Sequence, residues 1–322
     1  MARRHAAKTS SPPAASSAPT GLQSVLVPVD LDPLSDRIIG RVALLPLADD
    51  ARVTILHVVP GSLPARERRS AERDAREALA VEARHLRESL PMGVTVEPLV
   101  RPGTIADEIH AHATAGAPEL IVMGRGGGRR LRDAFLGSNA ERVVRRAQRP
   151  VLVVRLRPRT AYKRPAIALD LDQAARESIR IMLLMLTEPQ PRVAVIHAYT
   201  VPHLGRYYPS LSPDELDVAR EDQRRQATKN LTTLLDAALA ESNVRPEDGP
   251  RWKTYLRYGA PRLAVTNAAE SIKADLLVLG TQARRGSAFA FLGTVAGDVL
   301  RAARCDVLIV PPRPGPGSPN VE

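Results

Sequence analysis

The stretch LIVMGRGGGRRLRDAFLGSNAERVV (residues 120–144) contains the pattern that decides the fold. It begins with an apolar run typical of a buried strand and ends with a segment of helical period. Between them, Gly124 and Gly127 are followed, after nine residues, by a Gly-Ser pair at position 137. Glycines at such a junction allow positive φ and close approach to a phosphate. Because the first N–H groups of a helix lack intrahelical partners, the stretch predicts a strand, an anion-binding loop and a helix.

Around this stretch, short Val, Leu and Ile runs alternate with longer charged segments of helical period. The alternation predicts an α/β fold in which a parallel sheet is flanked by helices. The first half contains five predicted strands, at 24–30, 52–59, 94–100, 119–124 and 151–155. Four helices are predicted between them, at 33–47, 65–90, 105–115 and 138–147. In such a sheet a ligand binds where strand order reverses, which is expected at the ends of strands one and four.

The second half repeats the first, at an offset of 140 residues and then of 156. The matched positions are Asp30 and Asp170, His57 and His197, Gly103 and Gly259, Gly124 and Gly280, and Gly137 and Gly293. One insertion of 16 residues, within a longer loop and helix at 207–244, explains the change of offset. The repeat predicts two tandem Rossmann-like domains, each with a five-stranded parallel sheet flanked by helices.

The predicted domains comprise residues 21–157 and 163–312, and the tails 1–20 and 313–322 are expected to be disordered because of their Ala/Ser/Pro and Pro/Gly content. Strand five would be an exposed edge of each sheet. We therefore expect it to pair either across a homodimer or between the two halves of one chain.

Composition excludes several classes of protein. With 44% hydrophobic and 25% charged residues, the chain has the proportions of a soluble globular protein. No apolar run approaches the roughly 18 residues that span a bilayer, and residues 1–20 lack the apolar core of a secretory signal. Cys305 is the only cysteine and cannot form an internal disulfide. We therefore expect a cytoplasmic protein without a membrane segment.

Positive charge is concentrated in one segment. Residues 125–159 hold eleven arginines against Asp133 and Glu141, which gives +9 of the net +11, and residues 1–20 add +3. Such a field attracts phosphate, nucleic acid or an acidic partner, although an arginine-rich solvated face is the alternative. Nucleic acid is disfavoured, because aromatic residues for stacking make up only 3% of the chain and no recognition motif is present.

The spacing Gly-x-x-Gly, nine residues, Gly-Ser resembles the ATP-binding signature of the universal stress proteins. The segments VPVD (27–30), LHV (56–58) and GSNAERVVRRAQRPVLVV (137–154) are also similar to that family. The similarity continues through the second half. It implies a tandem universal stress protein with adenine nucleotide alpha hydrolase-like domains, and a fifth strand that is used for dimerisation.

The resemblance also implies a ligand, ATP, and its site. Asp30 and the backbone of Val58 would hold the adenosine, and Asp30 or Asp32 could help to hold Mg²⁺. The rest of the first site would consist of Met123, Gly124, Arg125, Gly127, Gly137, Ser138 and Asn139, with the ribose and phosphates at the glycines, Ser138 and Asn139. A weaker second site would consist of Asp170, Gly280, Gly293 and Thr294.

Two positions depart from the family pattern. Leu31 stands where the family often has glycine, which predicts a differently shaped turn after the first strand. Ala283 replaces the second glycine of the second copy. Positive φ there would cost alanine about 1 kcal/mol, and its methyl group would crowd a phosphate. We therefore expect tight nucleotide binding in the first domain and weak or no binding in the second.

Other roles compete for the same residues. Asp30 and Asp32 could instead cap the first helix. His57 and His197, in apolar strands, are interpreted as core histidines. No catalytic residue is predicted, because the chain has neither a Walker lysine nor an activated Ser/His/Asp arrangement. No separate metal site is predicted beyond the Mg²⁺ that Asp30 or Asp32 could help to hold beside ATP.

The sequence thus predicts an ATP-binding regulator of the stress response that is not an enzyme. ATP would order the loop 125–136 and change the surface that meets an unidentified protein partner. The alternatives are a slow ATPase, or a non-catalytic scaffold that binds protein or nucleic acid through the basic segment 125–159.

Overall fold

The computed structural model describes residues 21–33, 35–126, 137–171, 174–187, 192–201, 212–281 and 292–312. Several sequence predictions fall outside these ranges: the two tails, Gly127, Ala283 and most of the loop 125–136.

The first half contains β1 (Leu22–Val29), α1 (Ser35–Val42), β2 (Leu47–Pro60), α2 (Ala65–Glu88), β3 (Thr95–Gly103), α3 (Ile105–Ala115), β4 (Leu120–Gly124), α4 (Ser138–Arg146) and β5 (Val151–Val154). The second contains β6 (Pro165–Ala168), α5 (Ala174–Leu184), β7 (Arg192–Tyr199), α6 (Pro213–Glu241), β8 (Arg251–Tyr258), α7 (Pro261–Ser271), β9 (Leu276–Gly280), α8 (Thr294–Ala302) and β10 (Asp306–Val310).

The strands form one ten-stranded sheet in the order β3-β2-β1-β4-β5-β10-β9-β6-β7-β8. Pairing within each half is parallel, and helices cover both faces of the sheet. These features confirm the predicted α/β fold of two five-stranded units. Two apolar clusters, one on each face, run through both halves, so the two units share their cores.

The halves meet where β5 pairs antiparallel with β10. Leu152 lies opposite Leu308, and Val153 lies opposite Val307. Of the two uses expected for the fifth strand, the structure shows the pairing within the chain. Because this pair is antiparallel, the strands of the two halves run in opposite directions. Along the strand direction, the carboxyl ends of the first-half strands therefore lie at one end of the sheet. Those of the second-half strands lie at the opposite end.

A buried carboxylate joins the halves next to this pair. Asp306 is fully buried, and its Oδ1 accepts hydrogen bonds from the backbone N–H groups of Arg155 (2.7 Å) and Leu156 (2.8 Å). Its Oδ2 accepts one from the Tyr162 hydroxyl (2.8 Å) and lies 3.2 Å from Nε of Arg41. Burial raises the pKa of Asp306, and these donors oppose the shift.

The first helix is shorter than predicted. It was expected over 33–47, but α1 ends at Val42 and β2 begins at Leu47. Proline at position 46 has no N–H to continue a helix, and its carbonyl oxygen accepts a hydrogen bond from the N–H of Leu22 at 2.8 Å. Leu47 then pairs with Leu22 in the sheet. The end of the predicted helix therefore does not form, because Leu47 pairs in the sheet although its apolar spacing favoured helix.

The predicted longer helix of the second half is α6, with 29 residues against 24 in α2. Residues 202–211, which precede it, lie outside the described ranges. In the part of the chain that the structure describes, no helix has the length and apolar character needed to cross a bilayer.

Candidate functional site

The candidate site lies at the carboxyl ends of β1 and β4, which are neighbours in the sheet. The chain leaves β1 toward β2 on one side and reaches β5 from β4 on the other, so strand order reverses between them. Such a reversal leaves a crevice beyond the strand ends, where ligands of open α/β sheets bind. β6 and β9 make the equivalent arrangement in the second half.

Asp30 and Asp32 both contact the first residue of α1. Oδ1 of Asp30 accepts a hydrogen bond from the Ser35 hydroxyl at 3.0 Å. Oδ1 of Asp32 accepts one from the Ser35 N–H at 3.1 Å, which is a capping interaction. The alternative role considered for these residues, capping of the first helix, therefore applies to Asp32. Asp30 is exposed at the crevice and bonds a side chain rather than a helical N–H.

Leu31 has φ of 59°, in the left-handed region that favours glycine. The turn after β1 therefore places a leucine in a conformation that glycine adopts more readily. Its side chain is partly buried and packs against the apolar cluster on the α1 face of the sheet. At position 31 the residue therefore differs from the glycine of the family pattern, but the backbone has the left-handed conformation that glycine favours.

The glycine that turns the chain after β4 is Gly126, with φ of +67°. The prediction of positive φ at Gly124 is wrong, because that residue still continues the strand. Gly124 allows close approach of α1 instead, since a Cβ there would lie 3.1 Å from Cδ1 of Ile38 and that side chain would have to shift slightly. A spacing rule could not distinguish the turning glycine from the other three glycines between positions 124 and 128.

The start of α4 lies beside this turn. Gly137 donates its N–H to the carbonyl oxygen of Arg125 at 2.8 Å and precedes Ser138 as the N-cap. As a glycine, this N-cap has no side chain to cap the helix, and N–H groups at a helix start suit an anion. A Cβ on Gly126 would lie 3.6 Å from Cα of Gly137. The structure therefore brings Gly124, Arg125, Gly137, Ser138 and Asn139 together.

Val58 and Met123 are buried near the ends of β2 and β4. Nδ1 of His57 lies 2.9 Å from the carbonyl oxygen of Val29 and joins the ends of β2 and β1. The second-half equivalent, His197, makes the same bond to Leu169 at 2.8 Å.

Local contacts neutralise part of the basic segment. Arg145 pairs with Glu141 at 2.7 Å, and Arg146 pairs with Asp107 at 2.5 Å. Arg155 donates to the carbonyl oxygen of Leu300 near the end of α8. Its pKa is lowered, first by burial and then by the charge of Arg125. These two arginines follow the paired ends of β4 and β5, so two cations lie near the crevice.

The equivalent residues of the second half surround a cavity of about 210 Å³. Asp170, Gly280, Gly293 and Thr294, the four predicted residues of the second site, all line it. Oδ1 of Asp170 accepts a hydrogen bond from the N–H of Leu171 at 3.0 Å.

Residues of these sites that sequence reasoning missed include Ser35, Gly126 and Thr281. Thr281 lines the second cavity and is 3% exposed. It follows Gly280 as Arg125 follows Gly124, so the repeat offset was the signal that could have identified it. Within the described ranges, no three His, Cys, Asp or Glu side chains gather as a metal site.

Comparison with known proteins gives consistent matches. A model of the universal stress protein family matches residues 21–155 and again 161–311. Universal stress protein G of Shigella flexneri is 32% identical over 142 residues, which are 41% of this chain and 99% of that protein. A universal stress protein of Synechocystis is 25% identical over 157 residues, which are 46% of this chain and 97% of that protein.

Solved structures share the fold. The crystal structure of a universal stress protein from Archaeoglobus fulgidus has a TM-score of 0.65 at 17% identity, over 91% of this chain and 99% of its own. A functionally unknown protein from Pseudomonas aeruginosa has a TM-score of 0.61 at 20% identity, over 92% and 95%.

Proposed function

Because the chain belongs to the universal stress protein family, with both halves matching, we propose that it is a non-catalytic regulator that binds ATP in its first half. The observation that carries the proposal is the junction of β4 and α4. There, Gly126 turns beside Gly137, and α4 begins without a side-chain cap. Backbone N–H groups at a helix start, next to a cation, are a common solution for binding phosphates.

Each residue then has a distinct role. The first N–H groups of α4 and the Ser138 hydroxyl bind phosphate oxygens, and Arg125 supplies positive charge. Asp30, exposed at the end of β1, accepts hydrogen bonds from ligand hydroxyl groups. Asp30 or Asp32 would supply a carboxylate ligand to Mg²⁺ bound together with the phosphates, since magnesium sites commonly combine few carboxylates with substrate phosphates. We assign no residue to bond cleavage.

The regulatory output is a change of surface. ATP favours one arrangement of the loop 125–136, which begins at Arg125 and returns at Gly137, and a protein partner distinguishes the two arrangements. Limited proteolysis with and without saturating ATP tests this part separately. Equal cleavage rates within 125–136 would overturn the output and leave the binding proposal standing.

The binding proposal is tested with two matched substitutions, Gly137→Ala and Gly293→Ala. Both residues are N-caps with extended backbone, at φ −66° and ψ 152° and at φ −58° and ψ 158°, which alanine adopts without strain. A methyl group at position 137 crowds a phosphate, so we expect Gly137→Ala to weaken ATP binding about tenfold or more, which corresponds to about 1.4 kcal/mol. Gly293→Ala leaves the first site unchanged.

Calorimetric titration of ATP into the full chain provides the measurement, together with mass spectrometry of any nucleotide that co-purifies. The expected result is one tight equivalent per chain, weakened only by Gly137→Ala. Two equivalent tight sites, or equal effects of both substitutions, would contradict the assignment to the first half.

A further inference from the structure

The two outer strands of the sheet, β3 and β8, occupy equivalent places in the repeat but differ in sequence. β3 contains Pro98 and Pro102, which have no N–H to donate. Proline occurs in sheets on edge strands, where its nitrogen faces away from the neighbouring strand and offers no donor to a further one. At the repeat offset of 156, β8 has Thr254 and Tyr258 instead. The edge of the second half therefore has N–H groups at two positions where the edge of the first half is blocked.

The hydrogen bonding of β8 shows which of its N–H groups face outward. Gly259, directly after the strand, donates its N–H to the carbonyl oxygen of Tyr199 on β7 at 3.1 Å. Backbone groups of successive strand residues point to alternate sides, so the N–H groups of Thr254 and Tyr258 face away from β7. The prolines of β3 occupy the same positions and agree with this alternation. β8 thus presents the donors and acceptors to which another strand can pair.

One row of side chains along this edge is cationic. Residues two apart in a strand lie on the same face, about 6.7 Å from each other. The exposed cations Arg251, Lys253 and Arg257 share one face of β8 with Tyr255. Nζ of Lys253 lies 5.3 Å from the centroid of the Tyr255 ring, and Cζ of Arg257 lies 5.9 Å from it. Alternate residues of an added strand have the same spacing, so their side chains would lie beside these cations.

The first half shows how this row pairs with a carboxylate. There, Oε1 of Glu97 on β3 lies 3.7 Å from Nε of Arg52 on β2. The equivalent residues of the second half are Lys253 on β8 and Arg192 on β7. A cross-strand ion pair in one half is therefore replaced by two cations in the other, and like charges on neighbouring strands are destabilising. A carboxylate from a partner strand offsets this repulsion.

Charge and the placement of the aromatic rings decide which partner suits this edge. A second copy of β8 would bring the same cations together, which disfavours self-pairing. Single-stranded nucleic acid stacks its bases on aromatic rings along one groove. Tyr255 packs against the apolar cluster on one face of the sheet and Trp252 against the cluster on the other, so these rings do not share a stacking surface. An acidic peptide uses both the outward N–H groups and the cations.

We propose that β8 is a docking edge for an extended acidic segment of another protein. The segment adds to the sheet as a further strand and places carboxylates of alternate residues beside Arg251, Lys253 and Arg257. In strand addition the main-chain hydrogen bonds supply affinity, and alternate side chains supply specificity. This edge lies away from the crevice at β1 and β4, and the inference does not depend on the proposed function.

Thr254→Pro tests the strand addition, because it removes an outward N–H and introduces the residue that β3 has at position 98. The matched control, Thr254→Val, keeps the N–H and the branched shape. The probe is a fluorescent peptide of the length of β8, 8 residues, with glutamate at every second position and threonine between. A second peptide of the same composition has its glutamates in one block. Fluorescence anisotropy measures binding of both peptides to the full chain.

We expect the alternating peptide to bind, and Thr254→Pro to weaken this binding about tenfold or more, while Thr254→Val changes it less than about twofold. Lys253→Glu tests the charge and is also expected to weaken binding about tenfold or more. Lys229→Glu makes the same change of charge at an exposed position of α6 and should have a smaller effect. Circular dichroism shows whether each variant is folded.

Equal binding of the two peptides, or equal binding by Thr254→Pro and Thr254→Val, would overturn the inference, as would the absence of binding at about 1 mM. If Thr254→Pro does not fold, unchanged binding by Lys253→Glu has the same consequence.

Two further measurements address the other partners. An oligouridylate that binds more tightly than the alternating peptide, and is weakened by Lys253→Glu but not by Thr254→Pro, would assign this edge to nucleic acid instead. Dimerisation of the full chain that Thr254→Pro abolishes, measured by sedimentation, would assign it to a second copy. Either result would overturn the inference.

Discussion

The positive φ of Leu31 reverses the usual order of stability between alanine and glycine. At φ of 59° a side chain with a Cβ is strained by about 1 kcal/mol or more, whereas glycine is not. In a helix interior the order is the opposite, and alanine is more stabilising than glycine by about 1 kcal/mol.

We therefore predict that Leu31→Gly is more stable than Leu31→Ala by about 1 kcal/mol, although both lose the same packing. Val81, 45% exposed in α2, is the control, and there alanine should exceed glycine by a similar amount. Urea unfolding of the four variants gives both differences. If the alanine variant had the higher free energy of unfolding at both positions, the backbone strain at position 31 would be contradicted.

For single residues, the sequence predicted which ones lie at the crevice better than it predicted their backbone conformation and burial. Asp30, Gly124 and Gly137 lie where the repeat and the βα pattern placed them. Positive φ belongs to Gly126 instead of Gly124, because β4 continues through Gly124 and the chain turns only after it. Thr281 could be located by offset, but its burial depends on parts of the chain that are distant in sequence, such as Val310.

Helix ends in this molecule differ in how they are satisfied. α6 begins with a complete capping box, in which Ser212 Oγ accepts from the Glu215 N–H and the Glu215 carboxylate accepts from the Ser212 N–H. The N–H of Ser212 and then its hydroxyl, which both donate to the Glu215 carboxylate, lower the pKa of Glu215. Thr104, the N-cap of α3, makes no side-chain cap bond.

Ser212→Ala should therefore lower the free energy of unfolding by about 1 kcal/mol, because it leaves an N–H of the first turn unpaired. Thr104→Ala should change it by less than about 0.5 kcal/mol, since no bond is lost. Thermal unfolding of both variants is the measurement. Equal losses would mean that the capping box does not account for the effect.

Element type and order followed from periodicity, but element ends did not. The expected helix over 33–47 gave way after Val42, where pairing of Leu47 with Leu22 outweighed the apolar spacing. Such pairing joins residues far apart in sequence, which a local window does not register.

At the scale of the whole molecule, the two halves form one sheet, and their junction contains a buried charge. Asp306 on β10 contacts Arg41 of α1 and Tyr162 of the connecting segment, so it joins three separate parts of the chain. The sequence left open whether the fifth strand pairs within or between chains, because an edge strand has the same pattern in either case.

Asp306→Ala should lower the free energy of unfolding by about 3–5 kcal/mol, because it leaves Arg41, 3% exposed, as an uncompensated buried cation. Asp306→Asn keeps an acceptor for the two N–H groups and should cost less. Asp298→Asn, on the exposed surface of α8, should stay within about 0.5 kcal/mol. A loss below about 1 kcal/mol for Asp306→Ala would show that the junction does not depend on this carboxylate.

The same residue predicts a pH dependence. Burial raises the pKa of Asp306, so the folded protein keeps this proton at pH values where the unfolded chain has lost it. Its contribution to stability is complete below the unfolded pKa, about 3.9, and declines as pH rises toward the folded value. The unfolding free energy of wild type relative to Asp306→Asn should fall across that window. A rising difference would contradict the sign of the shift.

The antiparallel pairing of β5 and β10 also has an evolutionary consequence. In a symmetric homodimer a single gene encodes both sites, so every substitution appears in both at once. Here the equivalent positions have separate codons, and arginine at 125 coexists with threonine at 281. Selection can therefore act on each half independently, and the shared sheet keeps both halves folded while their sequences diverge.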